Sequence, residues 1–415
     1  MAKPASFWDA FRDPKLALML GLGFASGLPN PLAGDTLSAW FDDVGVPLAS
    51  VAFFGGLVHL PYNLKFVWAS VFDRFWPPFL SRRRSWLLVC QVALLVLIGA
   101  LGALDPSKGP ALVAGLALVV AFTAASQDIV ADAYRTELLS AEQRASGVAI
   151  FVMAYRVALI VTGSLALIVA DHVSWTVAFG MLAALMSVGV VTTLIAPPVA
   201  VPPRTPRTMR EAIVEPFREL LGREQVWLLL FITMLYKFGD VFVTAIRTPF
   251  LREVGFTLTE IGSIVKLIGL IATIVGALLG GGLVAKWGLK RAMIVFGVAQ
   301  AVPNLSYAAL AVVGKSYSLL AVGIGVDNLA GGMGTAALTA FFMTICNRRF
   351  TAMQYALLTS LMTVPGRLLG MGSGWLTEHI GWPALWVASV VAAIPALVLL
   401  VYVRIVEPDH GEAAA

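Results

Sequence analysis

The 415-residue sequence predicts an all-α membrane protein in which twelve spanning helices form two pseudo-symmetric six-helix bundles. Three observations predict this fold: the apolar composition, a series of hydrophobic runs, and a repeat that relates the two halves of the chain. Hydrophobic residues make up 59% of the chain and charged residues only 13%. A soluble domain is about 45–50% apolar and about 25% charged, so most of the apolar residues on the protein surface are expected to face lipid.

The hydrophobic runs are each long enough to cross a bilayer, since a spanning helix needs about 20 mostly apolar residues. Six runs come first, at 15–40, 49–73, 85–104, 110–134, 145–170 and 175–196. Six more follow, at 226–250, 258–285, 291–313, 317–346, 352–376 and 382–404. The polar segment between them starts with prolines that exclude a helix and continues as an amphipathic stretch. The runs therefore predict an N-terminal bundle 1–196, a cytoplasmic linker 197–225 with one surface helix, and a C-terminal bundle 226–415.

Residues in the two halves match at a nearly constant separation. Trp175 and Trp382 lie 207 positions apart, and the segment FDDVGVPL at 41–48 matches LREVGFTL at 251–258 with an offset of 210. The separation of 207 also joins His172 to His379, Gly163 to Gly370, and Arg84 to Arg291. A parallel repeat of six-helix bundles is typical of secondary transporters whose substrate site lies near the membrane midplane between the halves.

The distribution of Lys and Arg predicts the orientation. With the N-terminus inside, 20 of the 29 basic residues fall in cytoplasmic segments and three in outer loops. Cytoplasmic loops carry such an excess in membrane proteins, so both termini are expected to be cytoplasmic. The formal charge of +5 is explained by this asymmetry, and we expect no nucleic-acid partner.

Enzyme and metal sites are not expected. The two cysteines, Cys90 and Cys346, lie in hydrophobic runs, which excludes a disulfide framework and a thiolate metal site. His59 is the one histidine inside a span, and the chain contains neither an HExxH motif nor a GxSxG nucleophile elbow. We therefore expect no cofactor and no metal, and the alternative class of a membrane enzyme or sensor has no motif to support it.

Cations inside the spans are the main candidates for substrate contacts. Each costs several kcal/mol in lipid unless it is paired or hydrated (about 2.5–3.5 on insertion scales), so such residues normally line a transport pathway. Their excess favours an anionic substrate, because an entering carboxylate compensates their desolvation. Polar side chains that could bind sugar or peptide groups are added to the candidates, although contact between helices is an alternative role for each of them. The predicted substrate-binding residues are Lys65, Gln127, Tyr155, Arg156, Lys237, Lys266, Asn328 and Arg367.

Acids inside the spans are the candidates for proton coupling. Asp128 and Asp132 share one helix face at i, i+4, and protonation of one carboxylate would relieve their repulsion. Arg135 could instead neutralise Asp132 and leave Asp128 as the buried acid. Asp240 and Asp327 are further candidates, but Lys237 lies three residues before Asp240, so these two could simply pair on one helix face.

A cluster of charges after span 2 predicts a cytoplasmic gate. Asp73 and Arg74 end the span, Arg82, Arg83 and Arg84 follow, and Lys290–Arg291 occupy the corresponding place after span 8. The pattern resembles the gate motif of the major facilitator superfamily, with the spacing stretched by WPPFLS. The alternative is that these charges only set the topology.

Six segments resemble the AmpG muropeptide permease family of the major facilitator superfamily. They are LGFASGLP at 22–29, KFVW…DRFWPPF…RRR at 65–84, ASQDIVADAYRTELL at 125–139, LYKFGD at 235–240, KLIGLIATIVGALLGG at 266–281 and DNLAGGMGTAALTAFFMTICN at 327–347. The resemblance implies a proton-coupled importer of N-acetylglucosaminyl-1,6-anhydromuramyl peptides in the bacterial inner membrane, used in cell-wall recycling. It implies an anionic sugar-peptide and protons as partners, membrane lipid around the chain, and a monomer.

Two charges depart from the family pattern. Asp35 and Arg247 stand toward the outer ends of spans 1 and 7, where family members tend to be uncharged. We therefore predict that they pair across the halves as a periplasmic gate. The departures leave open a related carrier of another bulky anion, such as a siderophore or an acyl-CoA-like molecule.

Overall fold

The structure is a computed structural model, and it describes residues 13–33, 35–199, 208–244, 246–257, 260–261, 264, 268–370 and 373–405. Within these ranges the chain is helical and contains no strand. Candidate site residue Lys266 lies outside the described residues, as do the side chains of Asp35 and Arg367.

Six spans make up the first half, and several of them are built from more than one helix. Span 1 contains Pro14–Gly27, the short 3-10 turn Pro31–Ala33 and Asp35–Asp43, and span 2 contains Leu48–Leu64 and Phe66–Arg74. Span 3 is Arg82–Gly102 and span 4 is Pro110–Leu138. Span 5 runs through Ala141–Ile160, the π-turn Val161–Leu165 and Ala166–His172, and span 6 contains Trp175–Leu185 and Ser187–Ile195.

A linker helix, Met209–Leu221, precedes the second half. Span 7 contains Val226–Leu235, Phe238–Thr244 and Arg247–Glu253, span 8 includes Gly269–Trp287, and span 9 contains Leu289–Ala301 and Asn304–Val313. Span 10 is Tyr317–Ile345, span 11 begins with Thr351–Gly370, and the last helices are Ser373–Val391 and Ile394–Tyr402. The helix Ser373–Val391 bends at Gly381, whose φ of 76° separates the end of span 11 from the start of span 12.

Nine helices within the described ranges are each long and apolar enough to cross a membrane. They correspond to spans 3 to 10 and span 12. Spans 1 and 2 are divided into shorter pieces, at Pro31–Ala33 and at Lys65. Span 11 carries Gln354, Thr359 and Thr363, which lower its hydropathy. The three remaining spans are therefore interrupted or polar, and the predicted total of twelve is retained.

The repeat predicted from the sequence recurs in the helix bounds. Pro110–Leu138 and Tyr317–Ile345 both have 29 residues and begin and end 207 positions apart. The helices that begin spans 5 and 11 start at Ala141 and Thr351, 210 positions apart. Since spans 4 and 10 keep register at both ends and spans 5 and 11 start at a similar offset, the two halves have the same topology, as predicted.

The loops on one face differ between the halves. Residues 75–81 connect spans 2 and 3, whereas Gly288 alone connects spans 8 and 9. Residues 139–140 connect spans 4 and 5, whereas 346–350 connect spans 10 and 11. We call this side of the molecule the arginine-rich face, defined by Arg82–Arg84, the linker helix and the loop 346–350.

The apolar core joins the two halves at the arginine-rich face. One cluster of buried side chains there includes Tyr134 and Leu139 from the first half with Phe342 and Tyr355 from the second. Toward the opposite face, the described residues form two separate clusters, one within each half. The halves are therefore packed together at the arginine-rich face and have their own cores at the other.

Gly281 marks the closest approach between the halves at spans 5 and 8. A Cβ at this position would lie 2.7 Å from the carbonyl oxygen of Ala145 and 2.7 Å from the Cβ of Ala149. The neighbouring Gly282 has nothing within 4 Å of an added Cβ. A side chain at 281 would therefore push the halves apart, whereas one at 282 would not.

We expect Gly281→Val to weaken closure of the arginine-rich face, since overpacking a tight contact costs about 1–3 kcal/mol. Cys346, which is buried in the core cluster shared by both halves, should then react faster with a thiol reagent than in the wild type. Gly282→Val is the matched control and should leave the labelling rate unchanged. Equal rates in the two variants would contradict the prediction.

Candidate functional site

Charged side chains meet in a cavity of about 370 Å³ between the helices of the second half. Three cations line it, Arg156, Lys237 and Arg247, together with two acids, Asp240 and Asp327. Arg156 extends from span 5 of the first half, whereas the other described lining residues belong to spans 7 to 12. The cavity therefore brings together five of the charged residues that the sequence analysis placed in the site or the gate.

Arg247 forms an ion pair with Asp327, three spans later in the chain. The guanidinium Nη1 lies 3.0 Å from Asp327 Oδ2, and the Tyr307 hydroxyl donates to the same oxygen at 3.1 Å. Tyr307 is in turn stacked on Trp386, with ring centroids 4.6 Å apart. The partner of Arg247 in this structure is therefore an acid of its own half rather than the predicted Asp35, whose side chain lies outside the described ones. The Asp35–Arg247 gate stays a prediction.

Lys237 and Asp240 lie where span 7 is interrupted, between Leu235 and Phe238. The Lys237 ammonium donates to the carbonyl oxygen of Gly331 in span 10 at 3.0 Å. Interrupted helices at membrane depth are tolerated where they line a cavity, and transporters place binding groups at such breaks. The break thus exposes both charged side chains to the cavity.

Asn328 lines the same cavity and connects two of its walls. Thr273 of span 8 donates to Asn328 Oδ1 at 3.1 Å, and Asn328 Nδ2 donates to the carbonyl oxygen of Ile324 at 2.9 Å. Gly269 makes close contact with Asn328, since an added Cβ would lie 3.1 Å from Nδ2. Both ends of the amide are therefore bonded within the protein, which favours a structural contribution in addition to any contact with substrate.

A second group of charges lies in the first half, around the break of span 2 at Lys65. The Lys65 ammonium is 3.7 Å from Asp132, and Arg135 Nη2 is 2.7 Å from the same carboxylate. Asp128 lies one turn earlier on the helix, within electrostatic range of Lys65. Asp132 is thus neutralised by two cations, which is the arrangement that leaves Asp128 as the less paired acid. Lys65 is engaged by Asp132 in this structure.

Gln127 and Tyr155 lie at the contact of spans 1, 4 and 5. Gln127 is buried, and its Nε2 is 3.5 Å from the hydroxyl of Ser26. Span 1 comes close to span 5 here, because a Cβ at Gly27 would be 2.5 Å from the carbonyl oxygen of Tyr155. These two predicted binding residues belong to the packing of the first half and are not among the described residues that line the cavity, although Tyr155 precedes Arg156 in the chain.

Asp73 is the centre of the contact between the halves at the arginine-rich face. Its carboxylate is fully buried and accepts from Arg82 at 2.7 Å and from Arg83 at 2.8 Å. It also accepts from the backbone N–H groups of Ala352 (3.3 Å) and Met353 (3.0 Å), in the first turn of span 11. Those amides have no partner within their own helix, and a negative charge at a helix N-terminus is stabilising. One carboxylate of the first half therefore caps a helix of the second.

Further polar contacts surround this cap. Arg83 also pairs with Glu137 at 2.5 Å, and Arg135 donates to the hydroxyl of Tyr355 at 2.5 Å. The linker helix is held to the second half through Glu215, which lies 3.0 Å from Arg349. We call this group the latch. It comprises the span 11 amides and the side chains of Asp73, Arg82, Arg83, Arg135, Glu137 and Tyr355.

The latch contains part of the predicted gate. Asp73 comes together with Arg82 and Arg83 of the predicted cluster. Arg84 donates instead to the carbonyl oxygens of Thr193 and Leu194 at the end of span 6, at 3.1 and 2.8 Å. Arg74 lies over the ring of Phe75, 4.8 Å from its centroid.

Other groups of the latch had no selective signal in the sequence. Tyr355 and Glu137 carry ordinary residue types for helix ends. The amides of residues 352 and 353 belong to the backbone, so no residue type marks them.

Metal binding has no support among the described residues, where no group of three or more His, Cys, Asp or Glu side chains comes together. The buried charges described above form ion pairs and a helix cap.

Comparison of the sequence with known proteins identifies the family of this chain. The sequence model of the Major Facilitator Superfamily matches residues 16–363 and 229–415. The anhydromuropeptide permease of Escherichia coli (strain K12) is 43% identical over 396 residues, which cover 95% of this chain and 80% of that protein. The putative transporter AmpG 4 of Rickettsia felis is 30% identical over 411 residues, which cover 95% of this chain and 97% of that protein.

The fold is shared with solved transporters. The crystal structure of the fucose:proton symporter FucP of Escherichia coli superposes with a TM-score of 0.73 at 10% identity, covering 93% of this chain and 98% of that chain. At this identity the likeness concerns the fold alone. The predicted fold class, a transporter of two six-helix bundles rather than an enzyme, is confirmed by these relatives.

Proposed function

From the premise that the chain belongs to the AmpG muropeptide permease family of the major facilitator superfamily, we propose that it imports anhydromuropeptides together with protons. The observation that carries the proposal is the charged cavity that Arg156 and the second half enclose. Muropeptides combine neutral sugars with peptides that end in free carboxylates, and a cavity with cations and amide groups offers partners for both. The relative from Escherichia coli, whose name specifies anhydromuropeptides, supports the same substrate class.

We propose that the protein acts as a monomer in the bacterial inner membrane, with both termini in the cytoplasm. The excess of Lys and Arg in alternate loops supports this orientation of the termini. The arginine-rich face is then cytoplasmic, and the latch closes that side. The joined core at this face and the separate cores at the other favour an outward-facing arrangement, ready to receive substrate from the periplasm.

Alternating access follows from the position of the latch. Transporters of this type work by rocking one half against the other around a central site. Inward opening would require Asp73 to leave the span 11 amides and Arg135 to leave Tyr355, because these contacts join the two halves. The latch therefore has to break once in each transport cycle.

Vesicle uptake tests the proposed function. Right-side-out vesicles that contain the protein should accumulate labelled anhydromuropeptide when a proton gradient is imposed, and should fail to do so when the gradient is dissipated. Unlabelled siderophore and acyl-CoA serve as competitors. Stronger competition by either of these than by unlabelled muropeptide would replace the proposed substrate with another bulky anion.

Asp128→Asn is expected to abolish gradient-driven accumulation while substrate binding is retained. Asp128 is the candidate proton carrier with the clearest support, because Asp132 is already neutralised by Arg135 and Lys65. An asparagine keeps the size of the side chain and cannot take up a proton. Accumulation under a proton gradient and equilibrium binding are measured on the same preparation. Asp105→Asn, on an exposed loop, is the control, and normal accumulation by Asp128→Asn would remove Asp128 from the mechanism.

A further inference from the structure

The charges that line the cavity do not balance. Among the described residues that line the cavity, three cations face two acids, so these five groups carry one positive charge in excess when all are ionised. An uncompensated charge at membrane depth is costly, and charges in such places mark binding or ion pathways. The identity of the uncompensated cation determines where an anionic group of the substrate would be held.

Arg247 is already compensated. Its guanidinium pairs with Asp327 at 3.0 Å, and the Tyr307 hydroxyl completes this group. All three residues lie in the second half, so the arrangement does not depend on the relative position of the halves. A carboxylate from outside would have to compete with Asp327 for Arg247.

Lys237 is only partly engaged. Its ammonium has three donors, and the described contact uses one of them, on the carbonyl oxygen of Gly331 at 3.0 Å. Asp240, one helical turn along span 7, provides the nearby negative charge. Donors remain on Lys237 for a ligand that approaches from the cavity.

Arg156 is the lining cation for which none of the described residues is a hydrogen-bond or ion-pair partner. The structure gives its guanidinium no hydrogen bond or ion pair to any described residue, although it lines the cavity and carries five N–H donors. It lies within electrostatic range of Lys237. Two neighbouring cations, one from each half of the protein, thus line the same cavity.

We infer that Arg156 and Lys237 together bind a carboxylate of the substrate's peptide, so that one anionic group of the ligand touches both halves of the protein. The inference rests on the proposed function and deepens it, because it assigns the peptide acid rather than the sugars to this end of the cavity. A planar guanidinium accepts a carboxylate in a two-pronged geometry, and the ammonium adds a point charge. Binding at this place would draw span 5 toward spans 7 and 10.

The test compares two ligands in five proteins. The ligands are a labelled anhydromuropeptide with free peptide carboxylates and the same molecule with those carboxylates amidated. The proteins are the wild type, Arg156→Gln, Arg156→Lys, Lys237→Gln and Lys108→Gln, which removes a cation from an exposed loop as a control. Equilibrium binding to purified full-length protein is measured, and the melting temperature reports whether each variant is folded.

Wild-type protein should bind the free acid more tightly than the amide. Arg156→Gln should weaken binding of the acid about 10- to 100-fold, the size expected for a charge-assisted hydrogen bond, and should leave the amide nearly unchanged. Arg156→Lys should recover part of the loss, and Lys108→Gln should match the wild type. Lys237→Gln should show the same selective loss as Arg156→Gln.

Two results would overturn the inference alone: equal binding of acid and amide by the wild type, or an equal loss for both ligands in Arg156→Gln. The second of these would indicate that Arg156 supports the cavity structurally. A wild-type protein that binds neither ligand would overturn the proposed function, and this inference with it.

Discussion

Asp73→Ala should abolish accumulation of substrate and lower the free energy of unfolding by about 3–5 kcal/mol, the cost of removing one partner from a buried ion pair. Arg82 and Arg83 would then be left buried, and Arg82 would lose its only ion pair among the described contacts. The amides of residues 352 and 353 would lose their acceptor at the same time. The arginine-rich face would therefore lose the contact that closes it.

Vesicle uptake and unfolding in detergent measure the two effects separately. Asp105→Ala is the matched control, because it also removes an aspartate that is paired with a cation, in this case on an exposed loop. We expect the control to match the wild type in both measurements. Wild-type uptake by Asp73→Ala would show that the latch does not take part in transport, even if the protein were less stable.

Reversal of the Arg247–Asp327 pair should have the second largest effect. Asp327→Arg would place two cations side by side in the cavity, and Arg247→Asp would do the same with two acids. Each single reversal leaves a charge at membrane depth beside a like charge, and we expect each to cost about 3–5 kcal/mol of stability. The double reversal restores an ion pair of the same composition and should recover most of the loss.

Melting temperature in detergent measures the recovery, and substrate uptake shows whether the swapped pair also supports transport. Tyr307→Phe removes the hydroxyl that donates to Asp327 without changing charge, so its effect should be smaller than that of either reversal. If the double variant were no more stable than the single ones, the two side chains would not act as a pair. Asp35 would then return as the candidate partner of Arg247.

The spans and their repeat could be predicted because apolar runs, and the Gly, Pro and charged residues that separate them, are local features of the sequence. Each run of about 20 apolar residues has to cross the bilayer, and the separation of 207 between Trp175 and Trp382 recurs in the bounds of spans 4 and 10. The candidate charges could be recognised for a similar reason, since an ionised group inside a run is costly wherever it points. Five of them indeed line one cavity or flank it.

Pairing between those charges was not accessible from the sequence, because several partners were equally reasonable on charge alone. On charge alone, Arg247 could pair with either of two acids, Asp35 or Asp327. Its partner in the structure, Asp327, lies 80 positions later in the chain. No proline in the sequence marks the break of span 7 at Lys237. Contacts between the halves also depend on which face of the protein is closed, and that is a property of the conformation.

The unequal loops of the arginine-rich face bear on the history of the chain. If a six-helix ancestor was duplicated, its descendants kept register through spans 4 and 10, with an offset of 207, and changed it to 210 by spans 5 and 11. The loop between spans 10 and 11 is thus three residues longer than its counterpart between spans 4 and 5. It carries Arg349, which pairs with Glu215 of the linker helix. Because the connections 103–109 and 314–316 on the opposite face also differ in length, the two halves are not equivalent at either end of the transport pathway.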